Sequence, residues 1–181
     1  MAMTRRVSVA AAGAALISAF TAATAVPAAA DCEDPPTAAR ARFFANVRNE
    51  GDGTYLYHPI GNYVQTLDSI STAHPLDVTW DFQYVGETDG GTGIYAIRSD
   101  GTTSCITNNG LGNRAILAPC DKADLAQQWA VTTAQEHSAI VNMKFKNTAL
   151  RSNGTGNDVT LVSTVGPPTR NQLWTFSYVG Q

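Results

Sequence analysis

The chain has 181 residues and a formal net charge of −3, and 15% of its residues are charged. This length suggests one domain, or one domain with an appendage. The sequence contains no basic block, so electrostatic attachment to nucleic acid or to an anionic membrane has little support.

The first thirty residues have the layout of a secretory signal peptide. Arg5 and Arg6 lie in a basic start, residues 7–26 form an uncharged, alanine-rich run, and small residues follow at 27–30. This three-part pattern is typical of a cleavable export signal. The alternative is a transmembrane anchor, which the length would allow, but Ala, Ser, Thr and Gly make the run only weakly apolar. We expect cleavage near Ala30, a secreted, extracellular protein and no integral membrane association.

Without residues 1–30 the chain has ten basic and fifteen acidic residues, a net charge of −5.

The cysteines indicate one disulfide and one odd thiol. Cys105 and Cys120 lie fifteen residues apart around a turn-rich segment, which predicts a bridge between them in an exported protein. Cys32 is then a free thiol or a link to another chain. It lies in residues 31–41, which are acidic and proline-containing and are expected to form a flexible N-terminal tail.

Beyond this tail the sequence alternates short β-type runs with turn signals, and helical periodicity is almost absent. The runs are rich in Ile, Val, Thr, Tyr and Phe, and Gly, Asn, Asp and Pro separate them. The predicted strands lie at residues 43–48, 54–58, 62–67, 80–85, 93–98, 103–107, 115–119, 127–131, 139–145, 148–152, 159–163 and 173–179. Many short strands at this spacing indicate an all-β sandwich or barrel.

Three tryptophans divide the chain into units of similar length. Trp129 and Trp174 stand 45 residues apart, each two residues after a glutamine, and Trp80 precedes Trp129 by 49 residues. The three units run over about residues 42–85, 86–131 and 132–179, with four predicted strands in each. One such unit cannot bury its apolar face alone, so the repeat predicts a β-trefoil closed around a pseudo-threefold axis. We expect structural roles for the tryptophans in the shared core, and for Gln127 in holding a turn.

With these motifs the sequence resembles the ricin B-chain family of lectins, the Q-x-W β-trefoils. The second unit contributes most of the resemblance, with SCITNNG at residues 104–110, AILAPC at 115–120 and the Q-x-W motif at 127–129. The resemblance covers residues 42–181. It implies a ricin B-type β-trefoil domain that binds carbohydrate outside the cell, with no metal and no cofactor.

A working sugar site in this family combines an acidic residue, an aromatic ring and an asparagine beside the Q-x-W glutamine. The acid and the amide hydrogen-bond sugar hydroxyls, and the ring stacks on the apolar sugar face. These positions hold Tyr57, Leu67 and Asp77 in the first unit, where the alignment is loose, Thr107, Ala118 and Ala126 in the second, and Arg151, Val162 and Asn171 in the third. No unit has the full set, and only the third keeps the amide, so the sites are degenerate.

Candidate sugar-binding residues therefore come from polar side chains of the third unit and from rings of the first. They are Asn171, Gln172, Arg151, Asn153, Tyr57 and Tyr63. Each of these two groups of residues also has a purely structural explanation. Tyrosines that alternate along a strand are typical of half-buried packing, and asparagines in turns usually satisfy their own backbone.

No catalytic motif appears in the sequence. It has no GxSxG elbow, HExxH motif, phosphate-binding loop or dinucleotide fingerprint. The histidines, His58, His74 and His137, fall in different units without metal-ligand spacing. Carboxylates that converge in space for glycoside hydrolysis are not excluded by sequence, so an enzyme stays as a third hypothesis, but we expect no enzymatic activity.

The sequence thus predicts a secreted, lectin-like protein whose partners are glycans. The alternative is a protein-interaction trefoil, comparable to a toxin delivery subunit or a protease inhibitor. Its partner would bind through Cys32 or through the tyrosines of the first unit. Saturable binding to a glycan would favour the first hypothesis, and a disulfide-linked dimer or a captured protein would favour the second.

Overall fold

The computed structural model describes residues 42–131 and 137–180. The predicted signal peptide, the predicted tail and Cys32 lie outside these residues. The regular secondary structure of the described residues is mostly strand, with one single-turn α-helix, α1 (Pro75–Val78), and three 3₁₀ turns at Ile70–Thr72, Leu125–Gln127 and Arg170–Gln172. The strands are β1 (Phe43–Asn49), β2 (Tyr55–Tyr57), β3 (Gln65–Leu67), β4 (Thr79–Glu87), β5 (Gly93–Ser99), β6 (Ser104–Thr107), β7 (Ile116–Pro119), β8 (Gln128–Val131), β9 (Ser138–Ala139), β10 (Val141–Asn142), β11 (Thr148–Arg151), β12 (Thr160–Ser163) and β13 (Leu173–Tyr178). The predicted all-β class is confirmed.

The first and last strands of the three units close into a barrel. Antiparallel pairs run from β1 to β4, from β4 to β5, from β5 to β8 and from β8 to β10. The ring is completed where β9 pairs with β13 and β13 pairs with β1. Because closure pairs every strand on both sides, the described barrel leaves no long exposed edge.

The two inner strands of each unit form a hairpin outside this barrel. The hairpins are β2–β3, β6–β7 and β11–β12. Isolated bridges join them to one another at Tyr63 with Ile116, Gln65 with Asp158 and Arg114 with Thr160. A closed barrel capped by three mutually bridged hairpins, with four strands per unit, is the arrangement of a β-trefoil.

The three tryptophans occupy corresponding places in the core. Trp80, Trp129 and Trp174 are fully buried. Each indole Nε1 donates to a backbone carbonyl in the hairpin of its own unit: Leu56 at 3.1 Å, Ile106 at 2.9 Å and Leu150 at 3.2 Å. The buried indole N–H groups thus find partners, and each tryptophan ties its hairpin to the barrel.

Gln127 and Gln172 hold the turns that precede the last strand of their units. Gln127 Oε1 accepts from the backbone N–H of Asp121 at 2.8 Å, and its Nε2 donates to the Pro119 carbonyl at 3.0 Å. Gln172 makes the same pair of contacts, with the Thr169 N–H at 2.9 Å and the Ser163 carbonyl at 3.0 Å. Both side chains are buried, and both amides are used within the turn.

The first unit builds this turn differently, because Val78 stands where the glutamine would be. The helix α1 fills the turn, with Pro75 at its first position and with the His74 side chain accepting from the Leu76 N–H. Proline suits the first turn of a helix, where its missing N–H has no intrahelical partner to lose. The sequence predicted no helix here, since a single turn is too short to show periodicity.

The predicted strand 139–145 is shorter in the structure than in the sequence reading. It consists of β9 and β10, and the chain turns after Asn142. The Asn142 side-chain oxygen accepts from the N–H groups of Lys144 and Phe145, both at 3.1 Å. An asparagine that bonds the backbone two residues ahead forms a turn, so this residue ends the strand although apolar residues follow it.

The predicted disulfide between Cys105 and Cys120 is present. It joins β6 to the residue after β7, across the hairpin of the second unit. Among the described residues, no helix is long and apolar enough to cross a membrane.

Candidate functional site

A polar hollow of about 520 Å³ lies where the third unit meets the first. It is lined by Asp52, Arg151, Ser152, Asn153, Gly154, Thr169 and Asn171. Three segments form it: the β1–β2 loop, the end of β11 with the turn after it, and the turn before β13. The pairing of β1 with β13 brings these segments together across more than a hundred residues of sequence.

One backbone hydrogen bond per unit shows that the position of the site asparagine lies in the same place in all three units. The backbone N–H of His58 donates to the Asp77 carbonyl at 2.8 Å, that of Asn108 to Ala126 at 2.9 Å, and that of Ser152 to Asn171 at 2.9 Å. The strand pairing of the hairpins supports the same equivalence of the units. Leu67, Ala118 and Val162, which stand at the aromatic position, each pair with the residue two before the acid position. Of the three amide positions, only Asn171 carries an amide.

The Asn171 side chain is the polar group of the hollow that is most available to a ligand. It is half-buried, and none of the hydrogen bonds among the described residues uses its side-chain amide. Gly51 explains how it fits, since a Cβ at residue 51 would lie 2.3 Å from Asn171 Oδ1. The amide therefore rests against the bare backbone of the β1–β2 loop with a donor and an acceptor available.

The carboxylate of Asp52 is fixed at the side of the hollow by hydroxyl groups. The Thr54 hydroxyl and N–H donate to Oδ1 at 2.6 and 3.1 Å, and the Ser152 hydroxyl donates to Oδ2. Desolvation of Asp52 raises its pKa, but the hydrogen bonds from Ser152, Thr54 and the Gly154 backbone outweigh it, so the pKa lies below its ordinary value. Asp52 is thus an ionised acceptor near neutral pH.

Arg151 brings a cation to the position where the resemblance implies an acid. Its Nε and Nη2 donate to Asn153 Oδ1 at 3.1 and 2.9 Å. Among the described residues no carboxylate lies within ion-pair distance of it. The Asn153 Nδ2 donates to the Asp158 carbonyl and the Thr160 hydroxyl at 2.7 and 3.0 Å. The amide of Asn153 is therefore fully used to hold the arginine and the turn.

The structure places the predicted site residues in three different surroundings. It brings Asn171, Arg151 and Asn153 together in the hollow, whereas Gln172 is buried beside it as a turn residue. Tyr57 and Tyr63 lie on the first-unit hairpin and do not line the hollow. Tyr57 is half-buried, and Tyr63 is 43% exposed with the Arg114 guanidinium 4.7 Å above its ring.

Sequence reasoning missed Asp52. In the sequence it stands in EGDGT, residues 50–54, which indicates only a turn. The available signal was the closure of the trefoil itself, since a ring of three units must place the first unit beside the third. The chain uses this neighbourhood at every junction. His58 bonds the Ser99 hydroxyl at 2.7 Å, Asn108 bonds that of Thr148 at 2.7 Å, and the hydroxyl oxygens of Ser152 and Thr54 lie 3.1 Å apart.

The hollow offers an ionised acceptor, a free amide and a cation, but no ring among the residues that line it. Such a set can hydrogen-bond vicinal hydroxyl groups in a water-exposed, shallow site. It cannot stack on an apolar sugar face. The described residues also contain no group of three or more His, Cys, Asp and Glu that could hold a metal ion.

No family model and no curated protein matches this sequence. Solved structures do match. The chain is similar to a GlcNAcα1-4Gal-releasing endo-β-galactosidase from Clostridium perfringens, with a TM-score of 0.62 and 15% identity over 76% of this chain. That match spans only 33% of the enzyme, about a third of its length.

Two smaller proteins match over nearly their whole length. SeviL, solved with an asialo-GM1 saccharide, has a TM-score of 0.56 and 16% identity, over 75% of this chain and 96% of that one. The BEL β-trefoil has a TM-score of 0.58 and 15% identity, over 76% and 93%. At these identities the similarity shows the fold, a β-trefoil.

Proposed function

We propose that this protein is a non-catalytic, lectin-like β-trefoil that binds glycans through the third-unit hollow. One observation carries the proposal: the unpaired Asn171 amide lies in a shared hollow with the ionised Asp52 carboxylate and the Arg151 guanidinium. These groups complement the hydroxyls of a saccharide. A relation to the ricin B-type family is part of the proposal, supported by the two Q-x-W turns and the Cys pair.

In the proposed mode of binding, the Asn171 amide donates to one saccharide hydroxyl and accepts from its neighbour. The Asp52 carboxylate, which already accepts from Thr54 and Ser152, accepts from at most one further hydroxyl. The rigid setting of Asp52 lowers the entropy cost of this contact, since its two hydroxyl partners hold it before the ligand arrives. Without a stacking ring the affinity of one hollow is low. Useful avidity would then require several saccharides or several copies of the protein.

A glycan-array screen of the purified, oxidised protein tests the proposal. We expect saturable binding to a subset of glycans, and its loss in Asn171→Ala. The control is Asn109→Ala, the same substitution at an exposed asparagine of the second unit whose side chain makes no hydrogen bond among the described residues. Asn109 occupies in the second unit the place that Asn153 occupies in the third. A blank array from folded protein, or equal binding by both variants, refutes the proposal.

We also propose export, with residues 1–30 removed. The signal-like pattern of these residues and the Cys105–Cys120 bridge support it, because disulfides persist in oxidising compartments. Intact-mass measurement of protein from the culture medium tests this. The expected mass is that of a chain that begins at Asp31, and retention of the protein inside the cell with residues 1–30 attached would contradict it.

A protein-interaction trefoil is the second candidate, favoured by the exposed tip of the first-unit hairpin. Ile60 is fully exposed there, close in sequence to the exposed Tyr63. Exposed apolar and aromatic side chains of this kind are common anchors at protein interfaces. A partner whose binding is lost in Ile60→Ser but kept in Asn171→Ala would support this candidate over the first.

A further inference from the structure

A second hollow, of about 420 Å³, lies away from the glycan site and has a basic lining. Its lining residues are Arg42, Gln83, Tyr84, Arg98 and Lys122. None of them lines the third-unit hollow. The side chains come from the residue before β1, from β4 and β5, and from the turn after β7.

A buried carboxylate fixes two of the three cations. Asp81 is fully buried. It accepts from Arg42 Nε and Nη2 at 2.8 and 3.0 Å and from Arg98 Nε at 2.9 Å, and Arg98 Nη2 lies 2.7 Å from its Oδ2 as an ion pair. Gln83 Nε2 adds a bond at 2.7 Å. One carboxylate thus holds two guanidinium groups side by side, in a geometry that their mutual repulsion would otherwise oppose.

The charges around this hollow do not balance. Asp81 neutralises one of the two arginines, and Lys122 adds a third cation that has no carboxylate within 4 Å among the described residues. Asp100 attracts Arg42 from a greater distance and raises the pKa of that arginine further, after Asp81 itself. Counting both carboxylates against the three cations still leaves one positive charge.

Several donors of the hollow are unused. Arg98 also donates its Nη1 to the Thr102 carbonyl at 3.3 Å, so its guanidinium is engaged on all sides. The Nη1 of Arg42, the Nζ of Lys122 and the hydroxyl of Tyr84, in contrast, make no hydrogen bond to another described residue. Arg42 is anchored through one edge and presents the other, since its side chain is 53% exposed.

We propose that this hollow binds an oxyanion: a sulfate, phosphate or carboxylate group of a ligand. Arg42 would donate from its free edge, Lys122 would supply a point charge, and Tyr84 would add a hydroxyl donor. Because Asp81 already fixes the Arg42 side chain, binding costs less conformational entropy than it would on a free surface arginine. The proposal does not depend on glycan binding at the third-unit hollow.

Titration with inorganic sulfate, inorganic phosphate and acetate tests the proposal, at constant ionic strength so that general screening does not change. The readout is the NMR signal of the Arg42 and Arg98 Nε–H groups in the purified protein. We expect a saturable shift with at least one of these ions, at an apparent Kd on the order of millimolar. The ion that binds most tightly identifies the oxyanion class.

Two lysine variants make the test specific. Lys122→Gln removes a cation of the hollow without a side-chain contact that the fold needs, and we expect it to weaken binding about two- to fivefold, as loss of one exposed ion pair does. Lys146→Gln makes the same charge change at an exposed site elsewhere and should leave the affinity unchanged. Shifts that never saturate, or equal weakening in both variants, would indicate an adventitious ion only and would overturn the proposal.

Discussion

At the scale of single residues, Asp81 is the buried charge on which the start of the barrel depends. It lies on β4 and binds Arg42, the residue before β1, and Arg98 on β5. A buried carboxylate is costly unless several donors satisfy it. Here four hydrogen bonds from Arg42, Arg98 and Gln83, with the ion-pair contact of Arg98 Nη2, compensate for the lost hydration.

We expect Asp81→Asn to lower the free energy of unfolding by about 2 kcal/mol, because the charge-assisted hydrogen bonds to two partly exposed arginines become weaker bonds to a neutral amide. Chemical denaturation monitored by tryptophan fluorescence measures this. Asp89→Asn is the matched control, since Asp89 is exposed and makes no hydrogen bond or ion pair among the described residues. Equal stability of the two variants would show that the Asp81 cluster contributes nothing to stability.

The same residue predicts how stability depends on pH. Burial raises the pKa of Asp81, but the hydrogen bonds from Arg42 and Gln83 and the charges of both arginines more than offset this and hold its pKa below the ordinary value. The stabilisation is therefore complete above the ordinary aspartate pKa of about 3.9 and is lost as the pH falls through the lower, folded-state pKa. Between pH 6 and pH 2, the unfolding free energy should change less with pH for Asp81→Asn than for the unchanged protein.

At the scale of structural elements, the second-unit hairpin depends on its disulfide. The bridge closes a loop of fifteen residues between β6 and the residue after β7. In the chain-entropy model, such a loop contributes about 3 kcal/mol by restricting the unfolded state.

We expect the double variant Cys105→Ser, Cys120→Ser to lose about this amount of unfolding free energy and still to fold, since the hairpin keeps its four paired positions. Denaturant unfolding with and without a reducing agent measures it. The reduced, unchanged protein should match the variant. No difference between oxidised and reduced protein would contradict the assigned role.

The β1–β2 loop is the element that positions the proposed glycan site. Its turn is set by Asn49, whose side-chain oxygen accepts from the Gly51 N–H at 2.9 Å. Gly51 is needed at this point because of a close approach, since a Cβ there would lie 2.3 Å from Asn171 Oδ1 and 2.9 Å from its backbone nitrogen.

We expect Gly51→Ala to displace the Asn171 amide and to weaken glycan binding about tenfold, because the displaced amide no longer meets the ligand hydroxyls. The control is Gly90→Ala, where the added Cβ would meet nothing closer than 3.8 Å. Calorimetric titration with a glycan selected on the array compares the two. Unchanged affinity in Gly51→Ala would argue against Asn171 as a contact residue.

At the scale of the whole molecule, the repeated pattern made the fold predictable. The three tryptophans and the paired turn glutamines recur at the spacing of the units, and the structure puts each set at corresponding positions. The short helix α1 could not be predicted in this way, because Val78 replaces the glutamine and the local turn chemistry of His74 and Pro75 takes over.

The candidate site was only partly predictable for a related reason. Asn171, Arg151 and Asn153 lie within one unit, so their spacing along the chain could suggest a common location. Asp52 reaches the hollow from the other end of the sequence, through the pairing of β1 with β13. Nothing in its local sequence distinguishes a ligand-facing carboxylate from one that only holds a turn. Only the closure of the barrel shows which loop faces which.

The most direct test of the account is an NMR map of the glycan-bound protein. The backbone and side-chain amides would be followed while the glycan that binds best on the array is added. Glycan binding at the third-unit hollow predicts saturable shifts of the Asn171 side-chain amide and the Gly154 N–H, with the side-chain amide of Asn109 unchanged. Shifts centred on the first-unit hairpin around Tyr57 and Tyr63, or no shift with any glycan, would contradict it.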